Sequence, residues 1–361
     1  MNKSIIALAV AGALAASAAA QAETTLYGSA RIGVTYTQPH GPGPDKSSWD
    51  VANEASRIGV KGSEDLGGGL KVIYQYEFGV NIDGGTNDFA STTAVDKDGK
   101  SATGKDGSPL NRRLSSVGLT GGFGTVVLGR VWSAPYLYVG SLTDVFNSSS
   151  SGQATVMGWD RLNSTVGTGT ANTGSSVGGD RVSDVVAYIT PTFSGFSGAG
   201  AIVMNGNGTN SGDNREDIDA YDIAGGYTLG GLSIGASYRD FKALDYTQWT
   251  VGAAYKFPFG LRFAGTYSDR DVDGKNTPDP SVWDLVAEYN FGANTVRAGY
   301  ASYDHDMKNV SDVDAWRVGY QYDLSKRTRL WVEYLDESNI GNVAKAQTDR
   351  NFLSIGMRHD F

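Results

Sequence analysis

The residues of this sequence most able to carry a function are cations spaced as alternate members of a strand. Arg57 and Lys61 flank a stretch that contains the apolar residues Ile58 and Val60. Successive side chains of a strand point to opposite faces, so the two cations share one face and the apolar residues share the other. A cation that faces lipid near the membrane midplane costs about 2–4 kcal/mol. This spacing therefore predicts a wall with lipid outside and water inside.

The same alternation places further charges on the inner face of other segments. Arg113 is predicted to oppose Leu114, Arg181 to oppose Val182, and Glu77 is a candidate lumen acid. We expect a basic wall that acts on permeating ions to be formed by Arg31, Arg57, Lys61, Arg113 and Arg181. The alternative is that these side chains are merely solvated in the lumen. Other parts of the wall are predicted to be lined by Arg297, Arg317, Arg329 and Arg358.

Catalytic and metal-binding chemistry finds little support in the sequence. The histidines are His40, His305 and His359, and neither a G-x-S-x-G elbow nor an H-E-x-x-H motif is present. There is no cysteine, so thiolate chemistry is excluded. The run Gly67-Gly68-Gly69 indicates a hairpin turn rather than a phosphate cradle, because no helix follows it. We predict neither an enzyme nor a cofactor or metal site.

The composition fits a wall of strands better than an ordinary packed core. The chain has 361 residues with 49 Gly and 19 Tyr, which suits tight turns and interfacial aromatic side chains. The net charge of −9 disfavours nucleic acid as a partner. At the N-terminus, Lys3 and a short apolar run precede an A-x-A arrangement that ends at Ala22. This pattern predicts a cleaved signal peptide, residues 1–22, before a mature chain of 23–361, and it is too short to favour a membrane anchor.

The rest of the sequence alternates in segments of about ten residues, and the pattern favours sixteen strands. Aromatic residues often stand at both ends of an apolar row, as Trp249 and Tyr255 do. Rows of this kind fit a thin hydrocarbon slab with rings at both interfaces. The predicted strands, with boundaries uncertain by about two to four residues, are 25–37, 55–66, 69–80, 112–121, 123–132, 180–190, 195–205, 217–229, 231–242, 245–257, 260–270, 281–291, 293–303, 313–323, 327–337 and 350–361.

The connections alternate between short Gly-rich turns and long polar loops. The long loops include 38–53, 81–111, 131–179, 270–280 and 338–349. Such sorting is typical of a transmembrane antiparallel β-barrel and not of a soluble β-sandwich. The outer loops are rich in acids, which are either a solvated face or a means to attract cations or bridge lipopolysaccharide phosphates through divalent ions. These acids are Asp213, Glu216, Asp217, Asp219, Asp269, Asp271, Asp273, Asp279, Asp304, Asp306, Asp312 and Asp314.

Several motifs resemble those of general diffusion porins of Gram-negative bacteria, of the proteobacterial type. The motifs are Leu26-Tyr27-Gly28, Ser56-Arg57-Ile58-Gly59-Val60-Lys61-Gly62-Ser63-Glu64-Asp65-Leu66-Gly67, Tyr188-x-x-Pro191-x-Phe193-x-Gly195-Phe196 and Gly356-Met357-Arg358-His359-Asp360-Phe361. The resemblance covers essentially the whole mature chain. It implies an all-β barrel of sixteen strands in the outer membrane, assembled as a homotrimer, through which small hydrophilic solutes and ions diffuse passively. It also implies that the second loop, 81–111, latches onto a neighbouring subunit.

The resemblance also implies where the pore narrows. The third loop, 131–179, would fold inward and set acids against the basic wall, and Asp144 matches the first loop acid. From Val145 to Gly152 the sequence is Ser-rich and lacks a second acid, which puts strong cation selectivity in doubt. Phe361 would be a recognition feature for assembly. The small Ser116 and Gly118 are predicted to face outward, compatible with contact to another subunit.

A substrate-selective channel for sugars, phosphate or carboxylates is the alternative function. Such a channel needs a track of stacked aromatic side chains or convergent cations in its lumen. Trp132, Tyr136 and Tyr138, at the start of the third loop, are candidates for such a track. We favour the reading that they pack the loop against the wall.

Overall fold

The structure is a computed structural model that describes residues 23–40, 47–83, 94–95, 101–102, 110–148, 180–204, 218–242, 245–274, 278–308, 310–339 and 349–361. The predicted signal peptide and the acids Asp213, Glu216 and Asp217 lie outside these ranges. No helix in the described ranges has the length and apolar character to cross a membrane.

The chain forms a closed antiparallel barrel whose wall has sixteen strands, as the alternation predicts. The strands in chain order are β1 (Glu23–His40), β2 (Ser48–Asn53), β3 (Arg57–Gly67), β4 (Leu70–Val80), β5 (Ala94–Val95), β6 (Ser101–Ala102), β7 (Leu110–Gly121), β8 (Gly124–Trp132), β9 (Arg181–Ile189), β10 (Phe196–Met204), β11 (Ile218–Leu229), β12 (Leu232–Phe241), β13 (Tyr246–Lys256), β14 (Leu261–Val272), β15 (Ser281–Phe291), β16 (Asn294–Asp304), β17 (Val313–Asp323), β18 (Thr328–Ser338) and β19 (Asp349–Asp360).

The first and last strands close the barrel. β1 pairs with β19 from Ser29 opposite Asp360 to His40 opposite Asp349. Each other wall strand pairs with its neighbours along the chain, β4 pairing directly with β7. Because every wall strand is paired on both sides, no backbone edge is left to face lipid.

The predicted loop 38–53 contains a strand, β2, which acts together with β3 as one stave of the wall. β2 pairs with β1 from Ile32 to Thr37, and β3 pairs with β1 from Glu23 to Ser29. Between them the chain kinks at Ala55, whose φ of 66° lies in the left-handed region. Ser56 stabilises the kink, because its Oγ accepts from the Arg31 amide at 2.8 Å and its hydroxyl donates to the Arg31 carbonyl at 2.9 Å.

The outer surface carries the apolar rows that the alternation predicts. In β13 the exposed side chains are Trp249, Val251 and Tyr255, whereas Gln248 and Thr250 are buried on the inner face. The same holds for Trp316 to Tyr322 in β17, where the inner face carries Arg317 and Gln321. An apolar outside and a polar inside are what a barrel in lipid requires.

A helix and a 3-10 turn follow β8 and begin the third loop. Helix α1 (Ala134–Tyr138) starts at Ser133, whose Oγ accepts from the Tyr136 amide at 3.3 Å, and Pro135 occupies its first turn. A 3-10 turn (Gly140–Leu142) continues the chain. A proline in the first turn is favourable because its missing N–H would have no partner there.

Candidate functional site

The described part of the third loop, 133–148, lies inside the barrel and follows its inner wall. Helix α1 packs against β11 and β12, where Gly226 and Gly235 permit a close approach. A Cβ at Gly235 would lie 2.1 Å from the Tyr138 carbonyl oxygen, and one at Gly226 would lie 2.9 Å from the Tyr138 ring. Tyr138 therefore packs the loop onto the wall.

The middle of the loop is held by both polar and apolar contacts. The Arg262 Nη2 donates to the Leu142 carbonyl at 2.6 Å. Phe146 is buried in a cluster with Ala254, Ala264 and Val286, and the Arg317 guanidinium lies 4.8 Å from the centroid of its ring. These contacts fix the loop against β13 to β17.

A buried carboxylate anchors the far end of the described loop. Glu333 on β18 accepts from the Asn147 amide at 2.7 Å and from the Ser148 amide at 2.8 Å. The Asn147 side chain also donates to Gln321 Oε1 at 3.0 Å. Sequence reasoning missed Glu333, because strand parity marks it only as one of many inward polar residues. The loop thus crosses from β8 to β18 and covers the wall of β11 to β18, which we call the covered half.

Ion pairs fill the wall of the covered half. Arg239 donates to both carboxylate oxygens of Asp222, at 2.5 and 2.6 Å, and both side chains are buried. Arg317 pairs with Asp284, and Arg297 Nε lies 2.8 Å from Glu288 Oε2. Each of these arginines has a carboxylate partner on a nearby strand.

The remaining inner wall, β19, β1, β3, β4 and β7 to β10, is the open half, and it carries the predicted basic wall. Arg31 stands opposite Arg358, and Ser29 stands opposite Arg57. The Arg31 Nε donates to Ser29 Oγ at 3.0 Å. The positive charges of Arg57, Arg358 and Arg113 act on Arg31, and the negative charge of Asp360 opposes them. Within the described ranges, neither Arg31 nor Arg57 forms an ion pair with a carboxylate.

Arg113 faces the lumen because of a β-bulge, which strict alternation of side chains does not predict. Arg112 pairs with Phe78 and Leu114 with Glu77, so Arg113 is the extra residue of a β-bulge. Leu114 lines a cavity of the lumen with an exposed fraction of 3%, so the prediction that Arg113 and Leu114 oppose each other is wrong. The bulge turns Arg113 to the inside as well, where its Nε lies 2.7 Å from Glu77 Oε1.

Glu77 occupies the lumen, in line with its prediction, but it is already engaged. Besides Arg113, it accepts from the Tyr27 hydroxyl at 3.1 Å, and Gln75 donates to that hydroxyl at 2.7 Å. Lys61 lies beside this group, with its ammonium 5.3 Å from the centroid of the Tyr27 ring. Lys61 is exposed to the lumen, whereas Glu77 is buried.

A chain of contacts joins the basic wall to the loop. The Arg181 guanidinium lies 5.0 Å from the ring centroid of Trp132, which stacks on Tyr136 at 4.6 Å. The Tyr136 hydroxyl donates to Asp144 Oδ2 at 2.7 Å, and burial together with the Asp144 charge raises the pKa of Tyr136. Asp144 is exposed to the lumen. The stacked rings hold the loop against the wall rather than forming an open track.

Three further predictions can be compared with the structure. Val182 is buried in an apolar cluster rather than facing lipid, because the chain is irregular at Asp184, where φ is 57°. Ser116 lines the same cavity as Leu114, and Val117 is the exposed outer residue, so the outward placement of Ser116 and Gly118 is wrong. The bulge at Arg113 shifts the parity there.

The terminal Phe361 pairs with the first strand on the outer surface. Its amide donates to the Gly28 carbonyl at 3.1 Å, and the Gly28 amide donates to its carbonyl at 3.0 Å. A Cβ at Gly28 would meet the Phe361 ring at 2.3 Å, so the ring lies over this glycine. Among the described residues, no group of three or more histidines and carboxylates is arranged to hold a metal ion.

The fold and the inward loop define the class as a barrel channel, and comparisons with known proteins give the family. The sequence model of the Gram-negative porin family matches residues 7–342, and the chain belongs to this family. The major outer membrane protein P.IB of Neisseria lactamica is 30% identical over 392 residues, and outer membrane porin protein 32 of Delftia acidovorans is 28% identical over 394 residues. Both alignments cover 100% of each chain.

Solved structures agree in fold. An anion-selective porin from Comamonas acidovorans superposes with a TM-score of 0.72 at 24% identity, covering 94% of this chain and 100% of that one. OmpF of Salmonella typhi, in complex with daunomycin, gives a TM-score of 0.65 at 16% identity and covers 94% and 97%. The chain is therefore an outer-membrane porin, a water-filled channel for passive diffusion of small hydrophilic solutes and ions.

Proposed function

We propose that this porin favours anions and that the open half of its inner wall sets this preference. Arg31, Arg57, Arg113 and Arg181 with Lys61 form the basic wall of the proposed constriction, and Asp144 is the acid on the loop facing it. Asp144 is the one carboxylate in the segment 133–148. Glu77 is engaged by Arg113. The observation that carries the proposal is the placement of Arg31 and Arg57 without a carboxylate partner among the described residues.

Fixed charge at a narrow passage acts on every ion that crosses it. Unpaired arginines raise the local concentration of anions and lower that of cations, and low-dielectric walls strengthen the effect. The overall charge of −9 has the opposite sign, but much of it lies in the loops, where water and salt screen it over about 8–10 Å. The charges nearest the passage therefore outweigh the net charge.

A salt gradient across a planar bilayer tests this function. Purified protein is expected to insert with stepwise increases in conductance, and the reversal potential in a potassium chloride gradient is expected to have the sign of chloride preference. Absence of conductance steps would contradict the channel. A reversal potential of the cation sign would contradict the anion preference alone.

Three features of the assembly belong to the same proposal. The chain is cleaved after residue 22, forms a homotrimer and uses Phe361 as an assembly signal. A trimer is supported by the likeness to OmpT of Vibrio cholerae, which was solved in a trimer form and superposes with a TM-score of 0.62. Mass measurement of the purified oligomer tests the trimer, and a chain without Phe361 is expected to reach the outer membrane in lower yield.

The proposal excludes catalysis and treats the acid-rich outer loops as a solvated face. Burial and the nearby Asp304 and Asp314 raise the pKa of Asp312, as expected for carboxylates that crowd one another in water. Contact with lipopolysaccharide through divalent ions remains a prediction. The substrate-selective alternative is not favoured, because Trp132 and Tyr136 are engaged in packing the loop.

A further inference from the structure

One sector of the lumen is apolar, although the inside of a porin is normally polar. It lies on β8 to β10, towards the barrel end that carries the short turns, which is periplasmic in outer-membrane barrels. Its inward side chains are Val127, Val185, Ala187, Ile189, Ala199 and Ala201. The neighbouring walls carry the ion pairs Arg113–Glu77 and Arg239–Asp222. An apolar surface beside a water-filled passage suggests that another part of the protein or a ligand covers it.

The apolar sector forms the floor of a cavity of about 480 Å³. Leu114 and helix α1 form its other walls, and Leu137 on that helix remains 43% exposed. Sites for small organic molecules have volumes of about 300–1,000 Å³ and mostly apolar linings. The cavity therefore has the size and lining that suit one aromatic ring or a short alkyl chain.

The charges around the cavity select the head group of such a molecule. Lys61 lines it, is exposed, and forms no ion pair with any carboxylate in the described ranges. Asp222 also lines it, but Arg239 neutralises its charge at 2.5 Å. Glu23 also lines it and is exposed, opposite Ser63 and two positions from the partner of Lys61. The accessible charges of the lining are thus the ammonium of Lys61, which attracts an anion, and the carboxylate of Glu23, which repels one.

We propose that this cavity binds amphiphilic monoanions, that is, carboxylates with an aromatic or short alkyl body. The apolar body lies on β8 to β10 below helix α1, and the carboxylate lies at Lys61 with Gln75 within the same lining. The site adds a solute-binding step beside the basic wall. Its role in permeation rests on the proposed function, whereas binding itself does not.

Calorimetric titration of the detergent-purified protein with 4-phenylbutyrate tests the site. Saturable binding of one molecule per chain is expected. Acetate, which lacks the apolar body, and 4-phenylbutanol, which lacks the charge, are expected to bind at least ~10-fold more weakly, since each loses one of two contributions of about 1.4 kcal/mol or more.

Variants locate the binding. Lys61→Gln is expected to weaken 4-phenylbutyrate binding about 10-fold, and Ala201→Phe, which fills the cavity, is expected to abolish it. Glu23→Gln removes a repelling charge and is expected to strengthen binding. Lys71→Gln is the matched control, because Lys71 is an exposed lysine on the neighbouring strand that does not line the cavity.

The proposal is overturned if 4-phenylbutyrate does not bind, if acetate binds equally well, or if Lys61→Gln and Lys71→Gln have the same effect. Equal binding of 4-phenylbutanol would contradict the selection of anions. Conductance in the salt gradient is measured on the same preparations. If the protein conducts with anion preference but does not bind 4-phenylbutyrate, only the cavity proposal is contradicted. If it binds 4-phenylbutyrate but does not conduct, only the channel is contradicted.

Discussion

Inside the barrel, the buried arginines Arg239, Arg297 and Arg317 of the covered half pair with carboxylates, whereas Arg31 and Arg57 of the open half lie close to other arginines. In the covered half, the pair Arg239–Asp222 is buried and doubly hydrogen-bonded. In the open half, Arg31 lies opposite Arg358 and under the charge of Arg57. The same residue type therefore stabilises the wall where it is paired and shapes the field of the pore where it is not.

The difference follows from access to water. Arg239, Arg297 and Arg317 in the covered half are buried, and a buried arginine that loses its partner is strongly destabilising. Arg31 and Arg57 in the open half are only half-buried, so water can solvate their unpaired charges. Crowded cations still repel one another, which costs stability in exchange for an electrostatic field. The comparison is tested by variants that distinguish arginines needed for stability from arginines that set ion selectivity.

The largest effect is expected from Arg239→Ala in the covered half. Removing one member of a buried ion pair leaves the Asp222 carboxylate without its partner and destabilises by about 3–5 kcal/mol. Arg57→Ala in the open half is expected to change the free energy of unfolding by less than about 1 kcal/mol. Urea unfolding of the protein in lipid vesicles, followed by tryptophan fluorescence, measures both. Equal losses would remove the distinction between the halves.

A smaller loss of stability with a clear change in conductance is expected from Glu333→Ala. The variant leaves the Asn147 and Ser148 amides without their acceptor, and hydrogen bonds to a charged group contribute about 1.5–3 kcal/mol. The loop then leaves the wall part of the time, so single-channel current becomes noisier. Glu333→Gln keeps one acceptor oxygen, so its stability and its current noise are expected to lie between those of Glu333→Ala and those of the natural protein. Quiet channels in Glu333→Ala would show that other contacts hold the loop.

Asp144→Asn is expected to increase the anion preference with little change in stability. The side chain is exposed and accepts a hydrogen bond from Tyr136, which asparagine can also accept. The substitution removes the negative charge that we propose faces the basic wall. Its shift in reversal potential must have the opposite sign to that of an arginine substitution. A shift of the same sign would place Asp144 away from the ion path.

The smallest effect concerns Tyr136 and pH. Burial and the Asp144 charge raise the pKa of Tyr136, so the folded protein keeps this hydroxyl protonated above the ordinary pKa of about 10. Stability from this group is complete below pH 10 and falls as pH rises further, because the unfolded chain ionises first. The reversal potential is therefore expected to stay constant from about pH 7 to pH 9. Tyr136→Phe is the control, and any pH-dependent change that it abolishes would contradict this assignment.

Most of the wall could be predicted from the sequence because lipid imposes a strict alternation. In the structure Arg31 donates to Ser29, Arg57 stands opposite Ser29, and Lys61 lies over the Tyr27 ring. Strand boundaries agree within a few residues, except that β2, β5 and β6 are additional strands within the predicted loops 38–53 and 81–111.

What the sequence did not predict depends on irregular backbone and on distant contacts. One extra residue at Arg113 reverses the parity of Leu114 and Ser116, and a single sequence carries no marker for such a bulge. Glu333 meets Asn147 and Ser148 across the lumen, far apart in the chain. The apolar sector on β8 to β10 has the ordinary alternation of a wall strand, so the sequence alone does not show that helix α1 lies beside it. The roles of Asp144 and Phe361 remain predictions.

The most direct test compares two variants in the same potassium chloride gradient. Arg57→Gln removes one unpaired charge from the open half, whereas the double variant Asp222→Asn with Arg239→Gln removes a balanced pair from the covered half and retains one amide donor and one acceptor there. The natural protein is expected to show a reversal potential of the anion sign, Arg57→Gln a shift toward cations, and the double variant no shift. A cation-selective natural protein, or equal shifts in the two variants, would contradict the account.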